Sequence, residues 1–455
     1  MLMEGLVEQL EGIVGRESVV RGKDKMESYL FDETCIPVRP SAVPDCVLVK
    51  PANSMEVSRI LRLANENKIP VYPRGGGTGL VGGAVPTRSG IIVSLEKMNR
   101  IEIDGENLMA VAEAGATLGG LLKAVEEAGF SFPPHPGDEG AQIGGLVACN
   151  AGGARAVKHG VMRSFVRGLE VVLPTGEILT FGGKLLKDNM GYNLMHLIIG
   201  SEGTLGIITK VVLRLNPKTP YSFTLLLPFN SRHDALNTVP RILRSGVTPL
   251  ALEYVEKELM ELSAEHLGEK WVFEGEVFLI AILAGEENVV YSEAEKLSQI
   301  CVENNGLEPS VAERRDEQES ILRIRSNIYT ALKRDSMDIL DTTVPPSAIG
   351  RLADAIDTIA EKHGAYIPVY GHAADGNVHS HIMKRDAEKY EAIKREIYET
   401  TISLGGTITG EHGVGKIRVK ELYRFTHPKK IELMKGVKRL FDPNNILNPS
   451  TVLEI

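Results

Sequence analysis

The stretch YIPVYGHAADGNVHSHIM, residues 366–383, gathers His372, Asp375, His379 and His381 in a chain with only eleven histidines. Imidazoles grouped this way serve a metal site, a proton relay or the polar face of a hairpin. Placing Asp375–Gly376 at the centre of a tight type I′ turn predicts that Ala374 pairs with Asn377, Ala373 with Val378, and His372 with His379. Directly opposed residues have Cβ atoms about 4.5–5.5 Å apart, near enough for two imidazoles to share one divalent ion. His381 falls on the same face, two residues along, as a third ligand or a support for the other two. A catalytic ion keeps one position open for substrate and needs a further protein ligand. TGEHGVGK offers Glu411 for that role, with His412 beside it. On these residues alone, a metal centre and a satisfied polar strand face both stay open.

The elements that must position these groups are legible in outline. VLVKPANSMEVSRILRLANENKIPVYPRGGG reads as strand–helix–strand, with Asn53 and Glu56 at capping-box spacing and Val57, Ile60, Leu61 and Ala64 as the buried stripe. A helix is predicted from Thr117 to about Ala128, closed by Gly129, and a hairpin around Pro174–Gly176. After NPKTP (216–220) long helices alternate with strands. One charged helix is predicted from about Ala312 to Arg334, a strand near 337–343, and a helix from about Asp386 to Ser403. The expected class is α+β: a first domain over 1–215, a second with a mainly antiparallel sheet covered by helices over 216–404, and a C-terminal segment over 405–455.

Composition narrows the function. At 455 residues with 43% apolar content, the chain can build two or three full cores. A net charge of −9 with interspersed signs argues against nucleic-acid binding. Four scattered cysteines exclude a local four-cysteine zinc knot or a ferredoxin-type iron–sulfur run, and point to a reducing compartment. The acidic N-terminus MLMEGLVEQLEGIVG is not a secretory signal, and no run approaches the roughly 20 apolar residues of a membrane span. The expectation is a soluble, cytoplasmic protein.

PRGGGTGLVGG (73–83) contains G-x-G-x-x-G at Gly77, Gly79 and Gly82. A Rossmann site would need a helix opening directly after it, and Gly83, Pro86 and Gly90 rule that out. The physics of a glycine loop remains: bare N–H groups can crowd a phosphate, and Arg74 adds charge. PPHPGDEGAQIGGLVACNAGG (133–153) and DNMGYNLMHLIIGSEGTLGIITK (188–210) repeat the pattern of glycines, small residues and a following strand.

Taken together, PRGGGTG, IGGLVACNAGG and GSEGTLGIIT resemble the vanillyl-alcohol-oxidase and PCMH-type FAD-binding family, in its order and spacing. The resemblance implies a PCMH-type FAD domain, a cap domain, and a tail that returns to the FAD domain. It implies FAD contacts from Arg74, Gly75, Gly76, Gly77, Thr78, Gly79 and Leu80 on the pyrophosphate loop. Further contacts are implied from Pro136, Gly137, Ala141, Gly144, Gly145, Asn150 and Gly152, and from Glu202, Ile207, Ile208 and, in ILNP, Asn448. Thr78 stands where some members carry a histidine bonded to FAD, so the implied FAD is non-covalent. His135 is a flavin neighbour or a plain loop residue.

GHAADGNVHSH and TGEHGVGK further resemble the FAD-dependent D-2-hydroxy-acid dehydrogenase branch, which includes D-lactate dehydrogenases and the glycolate oxidase flavoprotein subunit. That branch implies His372, His379 and Glu411 as metal ligands and His412 as the catalytic base. It also implies Arg325 as the substrate-binding and catalytic arginine, with Arg323 its near competitor; the family leaves His381 unsettled. Tyr329, one turn beyond Arg325, and His381 are the other candidate substrate contacts. A chelating 2-hydroxy acid is activated by a Lewis-acid ion, and nitrogen with oxygen ligands fits zinc before iron or manganese. A stretch without lysine, DSMDILDTT, favours lactate or glycolate over a large diacid. Electrons then leave for a separate acceptor or a partner subunit, which could hold the protein at a membrane surface; a homodimer stays open. The alternatives are an alkyl-dihydroxyacetone-phosphate-synthase-like transferase and a flavoprotein electron-carrier subunit.

Overall fold

Strands that are apolar at every position end up covered on both faces, and CVLV and GIIVS follow that rule. In the computed structural model, which describes the backbone of residues 2–455 and the side chains of 5–455, both are buried throughout. Met1, where the expected first domain begins, lies outside the described residues. β1 (Val19–Val20), β2 (Cys46–Val49), β3 (Val71–Arg74) and β4 (Gly90–Ser94) form a sheet in the order β1-β2-β4-β3, with β2, β4 and β3 parallel. The crossover is α1 (Ser54–Glu66), capped by Asn53, whose side chain accepts from Glu56 N. Glu56 reaches back to Ala52 N at 2.7 Å. After β3 the chain turns through the glycine loop and enters β4 without a helix.

A second, antiparallel sheet comprises β5 (Ile101–Asp104), β6 (Met109–Glu113), β7 (Val166–Val172), β8 (Ile178–Gly182) and β9 (Ile207–Arg214), in the order β5-β6-β9-β7-β8. The expected hairpin joins β7 to β8, with Val172 opposite Ile178. Helix α2 (Leu118–Glu127) has the expected Thr117 cap. Within the glycine segment 133–153 lies a helix, α3 (Ile143–Cys149), whose Ile143, Leu146 and Val147 fall at helical spacing and are buried; the strand after the segment is β7.

The third sheet has seven antiparallel strands: β10 (Tyr221–Phe229), β11 (Ala251–Glu256), β12 (Val277–Gly285), β13 (Ser310–Ala312), β14 (Ser336–Thr343), β15 (Val369–His372) and β16 (Asn377–Met383). Their order is β13-β10-β12-β11-β15-β16-β14. The helix expected over 312–334 is shorter and broken: Ala312 ends β13, and α4 (Arg315–Ser326) and α5 (Ile328–Lys333) meet at Asn327. The side-chain amide of Asn327 donates to Ser263 Oγ at 3.2 Å.

The hairpin register also differs from expectation. Tyr370 pairs with His379 and His372 with Asn377, leaving Ala373–Gly376 as a four-residue turn. Asp375 Oδ1 accepts from Asn377 N, and Ala373 N donates to Leu252 O. Gly376 has φ +79° and lies so close to Val344 O that an added Cβ would sit 1.9 Å from it. This packing on two neighbouring strands overrides the tighter turn that Asp-Gly favours in isolation.

Two large cores result, one drawn from residues 6–215 and one from 223–408. The tail serves the first: Val71 N donates to Ile446 O, Asn448 N to Val71 O, and Phe441, Ile446 and Leu447 join that core. Among the described residues no helix is long and apolar enough to cross a membrane. The tail is locked to the third sheet by Arg418, which makes a buried two-point contact with Asp338 at 2.6 and 2.7 Å. Arg418→Ala would leave Asp338 buried without its cation, an expected loss of about 3–5 kcal/mol that urea unfolding would read. A change under about 1 kcal/mol, the scale of an exposed pair, would mean that the lock is not structural.

Candidate active site

The polar cluster is assembled from four segments: β11, β14, the β15–β16 hairpin and the turn at 409–412. His372 and His379 lie diagonally across the hairpin on one face, with ring centres 5.4 Å apart. Their Nε2 atoms converge on Glu411 Oε1 at 3.4 and 3.5 Å, longer than a normal hydrogen bond. His372 Nδ1 lies 2.7 Å from Glu253 Oε1, while His379 Nδ1 is buried without a hydrogen-bond partner, 3.7 Å from Asp341 Oδ1. His412 stacks on His379 with ring centres 5.2 Å apart and 7° between planes. Burial, then the neighbouring His412, pushes His379 down to about 3. Burial would raise Glu411, yet the attraction of His372 holds its carboxyl at about 2.

Asp341, opposite His379 across β14 and β16, anchors the turn. Its Oδ2 accepts from Thr409 Oγ1 and from the backbone N–H groups of Gly410, Glu411 and His412, all at 2.8–2.9 Å. Its Oδ1 accepts from Asn377 Nδ2 at 2.7 Å. Donor atoms of Asp341, His379, Glu411 and His412 also lie within 4.8 Å of one another. Because both Asp341 oxygens are already engaged, His372, His379 and Glu411 are the better cation set. Two Nε2 atoms aimed at one carboxylate oxygen, with the His372 ring backed by Glu253, are a donor set that could hold a divalent ion of the zinc class.

Helix α4 turns Arg325 inward, its side chain 9% exposed, and Arg323 outward at 60%, paired with Glu269. Arg325 Nη2 lies 2.6 Å from Glu253 Oε2, its Nε has no partner, and its guanidinium sits 4.9 Å from the centre of the Tyr370 ring. Tyr329 lines the same cavity, but its hydroxyl donates to Glu33 O at 2.7 Å. His381 is not where a substrate contact was expected. It is fully buried behind the wall, with Nδ1 2.7 Å from Ser336 Oγ and Nε2 3.2 Å from the Tyr370 hydroxyl.

One cavity of about 850 Å³ connects this cluster to the glycine loop. Gly75, Gly76, Gly77, Thr78, Gly79 and Leu80 line it, as do Pro136, Gly137, Ala141, Gly144, Gly145 and Gly152, with Glu202, Ile207, Ile208, Asn448 and His135. Close backbone approach explains the glycines: a Cβ on Gly152 would lie 2.6 Å from Glu411 Oε2. A bare cavity of this volume has room for a dinucleotide.

Arg74 lines the cavity, and its guanidinium also donates to the carbonyls of Phe31 and Ser28 at 2.9 and 2.8 Å. One expected contact is corrected. Asn150 does not line the cavity; it ends α3 in the left-handed region and accepts from Arg163 N. Glu202 and Asn448 face the cavity yet bind protein: Glu202 accepts from Val414 N and Gly415 N, and Asn448 donates to Gly83 O and Glu202 O. His135 lies 3.3 Å from Glu139 Oε1, and burial lowers its pKa. Glu253 and Asp341 escaped the sequence reading. The strand DSMDILDTT did carry a signal, an acid placed to face the hairpin.

A bare glycine-lined cavity ending in a histidine–carboxylate cluster suits a flavin-dependent oxidoreductase, and comparisons with known proteins show that class. Residues 45–182 match the FAD binding domain and residues 218–452 the C-terminal domain of the FAD linked oxidases. A D-lactate dehydrogenase of Archaeoglobus fulgidus is 43% identical, covering 94% of this chain and 96% of its own. Glycolate oxidase subunit GlcD of Bacillus subtilis is 36% identical over 99% and 97%. The solved structure of p-cresol methylhydroxylase superposes with TM-score 0.79 at 19% identity, over 99% of this chain and 97% of that one, and shows the shared fold. The chain belongs to the FAD-linked oxidases and is an FAD-dependent oxidoreductase of the D-lactate dehydrogenase and glycolate oxidase type.

Removing the Asp341 carboxylate strands four donors of the 409–412 turn. Asp341→Ala is therefore expected to cost at least about 3 kcal/mol and to slow flavin reduction more than about 100-fold, a factor of ten per 1.4 kcal/mol. Thermal unfolding and stopped-flow absorbance would check both; wild-type values in either would refute the anchoring role.

Proposed function

We propose that the protein oxidises a small D-2-hydroxy acid, D-lactate or glycolate, to the 2-oxo acid, and that it needs a divalent metal ion besides FAD. The observation that carries this is the convergence of His372 and His379 on Glu411, in one cavity with Arg325 and the glycine loop. When bound, FAD supplies the two-electron acceptor and the ion supplies Lewis acidity toward hydroxyl and carboxylate oxygens.

The protein's own groups divide the remaining work. Arg325 grips the substrate carboxylate through its guanidinium, seated by Glu253 and the Tyr370 ring. Glu253 orients His372, and Asp341 faces His379, so that both Nε2 atoms point inward. His412, held at its backbone by Asp341, removes the hydroxyl proton while the C2 hydrogen leaves with its electron pair. Electrons then pass to a separate acceptor, either a partner subunit or a small diffusible oxidant.

Anaerobic mixing of the holoprotein with D- and L-2-hydroxy acids tests this: D-lactate or glycolate should bleach the visible flavin band, and an unchanged band with every acid would refute it. His412→Ala should retain FAD and metal but lose at least about 100-fold in reduction rate, within the range for a general base. His372→Ala should lower bound metal by elemental analysis; full occupancy would overturn the ligand assignment.

A further inference from the structure

His381 carries a hydrogen-bond chain whose direction can be worked out. Ser336 Oγ donates its proton to Leu332 O at 3.0 Å, so toward His381 it can only accept. The 2.7 Å contact between Ser336 Oγ and His381 Nδ1 therefore puts a proton on Nδ1. A neutral imidazole then has a lone pair on Nε2, and the Tyr370 hydroxyl, 3.2 Å away, must donate to it. The two rings also stack, with centres 5.6 Å apart and 28° between planes. Tyr370 in turn borders the cavity. Its ring lies under the Arg325 guanidinium at 4.9 Å and beside His379 at 5.3 Å. Both ends of the chain sit on rigid structure, the end of α5 at Leu332 and the central hairpin at Tyr370.

We infer that His381 is a positioning residue for substrate binding, which acts through the Tyr370 hydroxyl to fix the ring on which Arg325 rests. The cation–ring contact seats a guanidinium whose Nε and Nη2 are buried without a hydrogen-bond partner, and a ring that swings would carry the whole group out of line. His381 contacts Ser336 and Tyr370 at hydrogen-bond distance and is not among the cavity-lining residues, so its influence is placed on substrate grip, not on the chemical step. This rests on the reading of Arg325 as the carboxylate's partner.

The test uses the holoenzyme and the dependence of the flavin-reduction rate on D-lactate concentration, which separates substrate Kd from the limiting rate. His381→Leu and Tyr370→Phe should each weaken Kd by about tenfold, the worth of one hydrogen bond, with limiting rate and metal content unchanged. His381→Gln, which restores an acceptor for Tyr370, should recover much of the loss. The double variant should be no weaker than either single one, because both remove the same link. Tyr370→Phe keeps the ring and a foldable core, so it remains informative even where His381→Leu folds poorly. Unchanged Kd in Tyr370→Phe, or multiplicative losses in the double variant, would overturn the inference. Arg325→Met separates the two levels: if it leaves Kd intact, the reading of Arg325 fails. If it weakens Kd while Tyr370→Phe does not, only the role of His381 fails.

Discussion

A buried carboxylate needs donors, and the need of Asp341 organises the site. Removing a carboxylate from water costs several kcal/mol unless hydrogen bonds replace the lost hydration. Asp341 recovers this from five donors on two segments: Asn377 of the hairpin, and Thr409, Gly410, Glu411 and His412 of the tail. The tail has little regular structure here and few other reasons to adopt one path. Three consecutive N–H groups fixed on one oxygen define that path, and Glu411 and His412 point where they do as a result. Close packing follows, since a Cβ on Gly410 would lie 2.1 Å from Thr343 Oγ1. Burial raises the Asp341 pKa, but His412, His379 and the donor set reverse this and hold the group charged.

The tail then continues as a seam between the two cores. Glu202 takes the N–H groups of Val414 and Gly415. Lys416 donates to Gly83 O, Asn448 Oδ1 and Thr451 Oγ1, three acceptors that match an ammonium, although burial pushes its pKa down to about 7. Arg418 closes on Asp338 in the seven-stranded sheet. Within ten residues the chain thus binds β14, the glycine loop and its own C-terminus. Groups drawn from distant parts of the sequence are held on rigid elements, and Tyr329 and Lys333 add a second tie through Glu33.

The sequence disclosed residue types more readily than register. Glycine clusters marked cavity walls, because bare backbone has few uses other than turns and close approach, and all but one of the expected cofactor residues line the cavity. The α1 and α2 caps were readable because capping is local. Local rules failed where packing from other strands decided: the Gly376 approach to Val344 lengthened the hairpin turn, and Asn327 broke the long helix. Glu253 was out of reach because β11 precedes the hairpin by more than a hundred residues, and nothing in PLALEYVE marks its acid as facing inward. Asn150 misled for a related reason. Its type suited a ligand, but the Arg163 amide claimed its side chain first.

Electrostatics supplies the final constraint. Glu253, Asp341 and Glu411 surround the His372–His379 pair, and among the described residues Arg325 is the guanidinium paired with them. With neutral imidazoles, these carboxylates outnumber the guanidinium, and Asp375 beside His372 adds to the imbalance; a negative excess in a space removed from water is costly. His372 relieves part of it by holding a proton: burial opposes that, but Glu253 and Glu411 raise its pKa well above the usual value. A divalent ion on Nε2 would displace that proton and offset two charges of the excess. The donor geometry and the charge balance therefore lead, by separate routes, to the same proposed cation. The arrangement also explains why Glu253 is shared. One carboxylate that touches both His372 and Arg325 ties the ligand that would hold the ion to the group that would hold the substrate, so neither can move without the other.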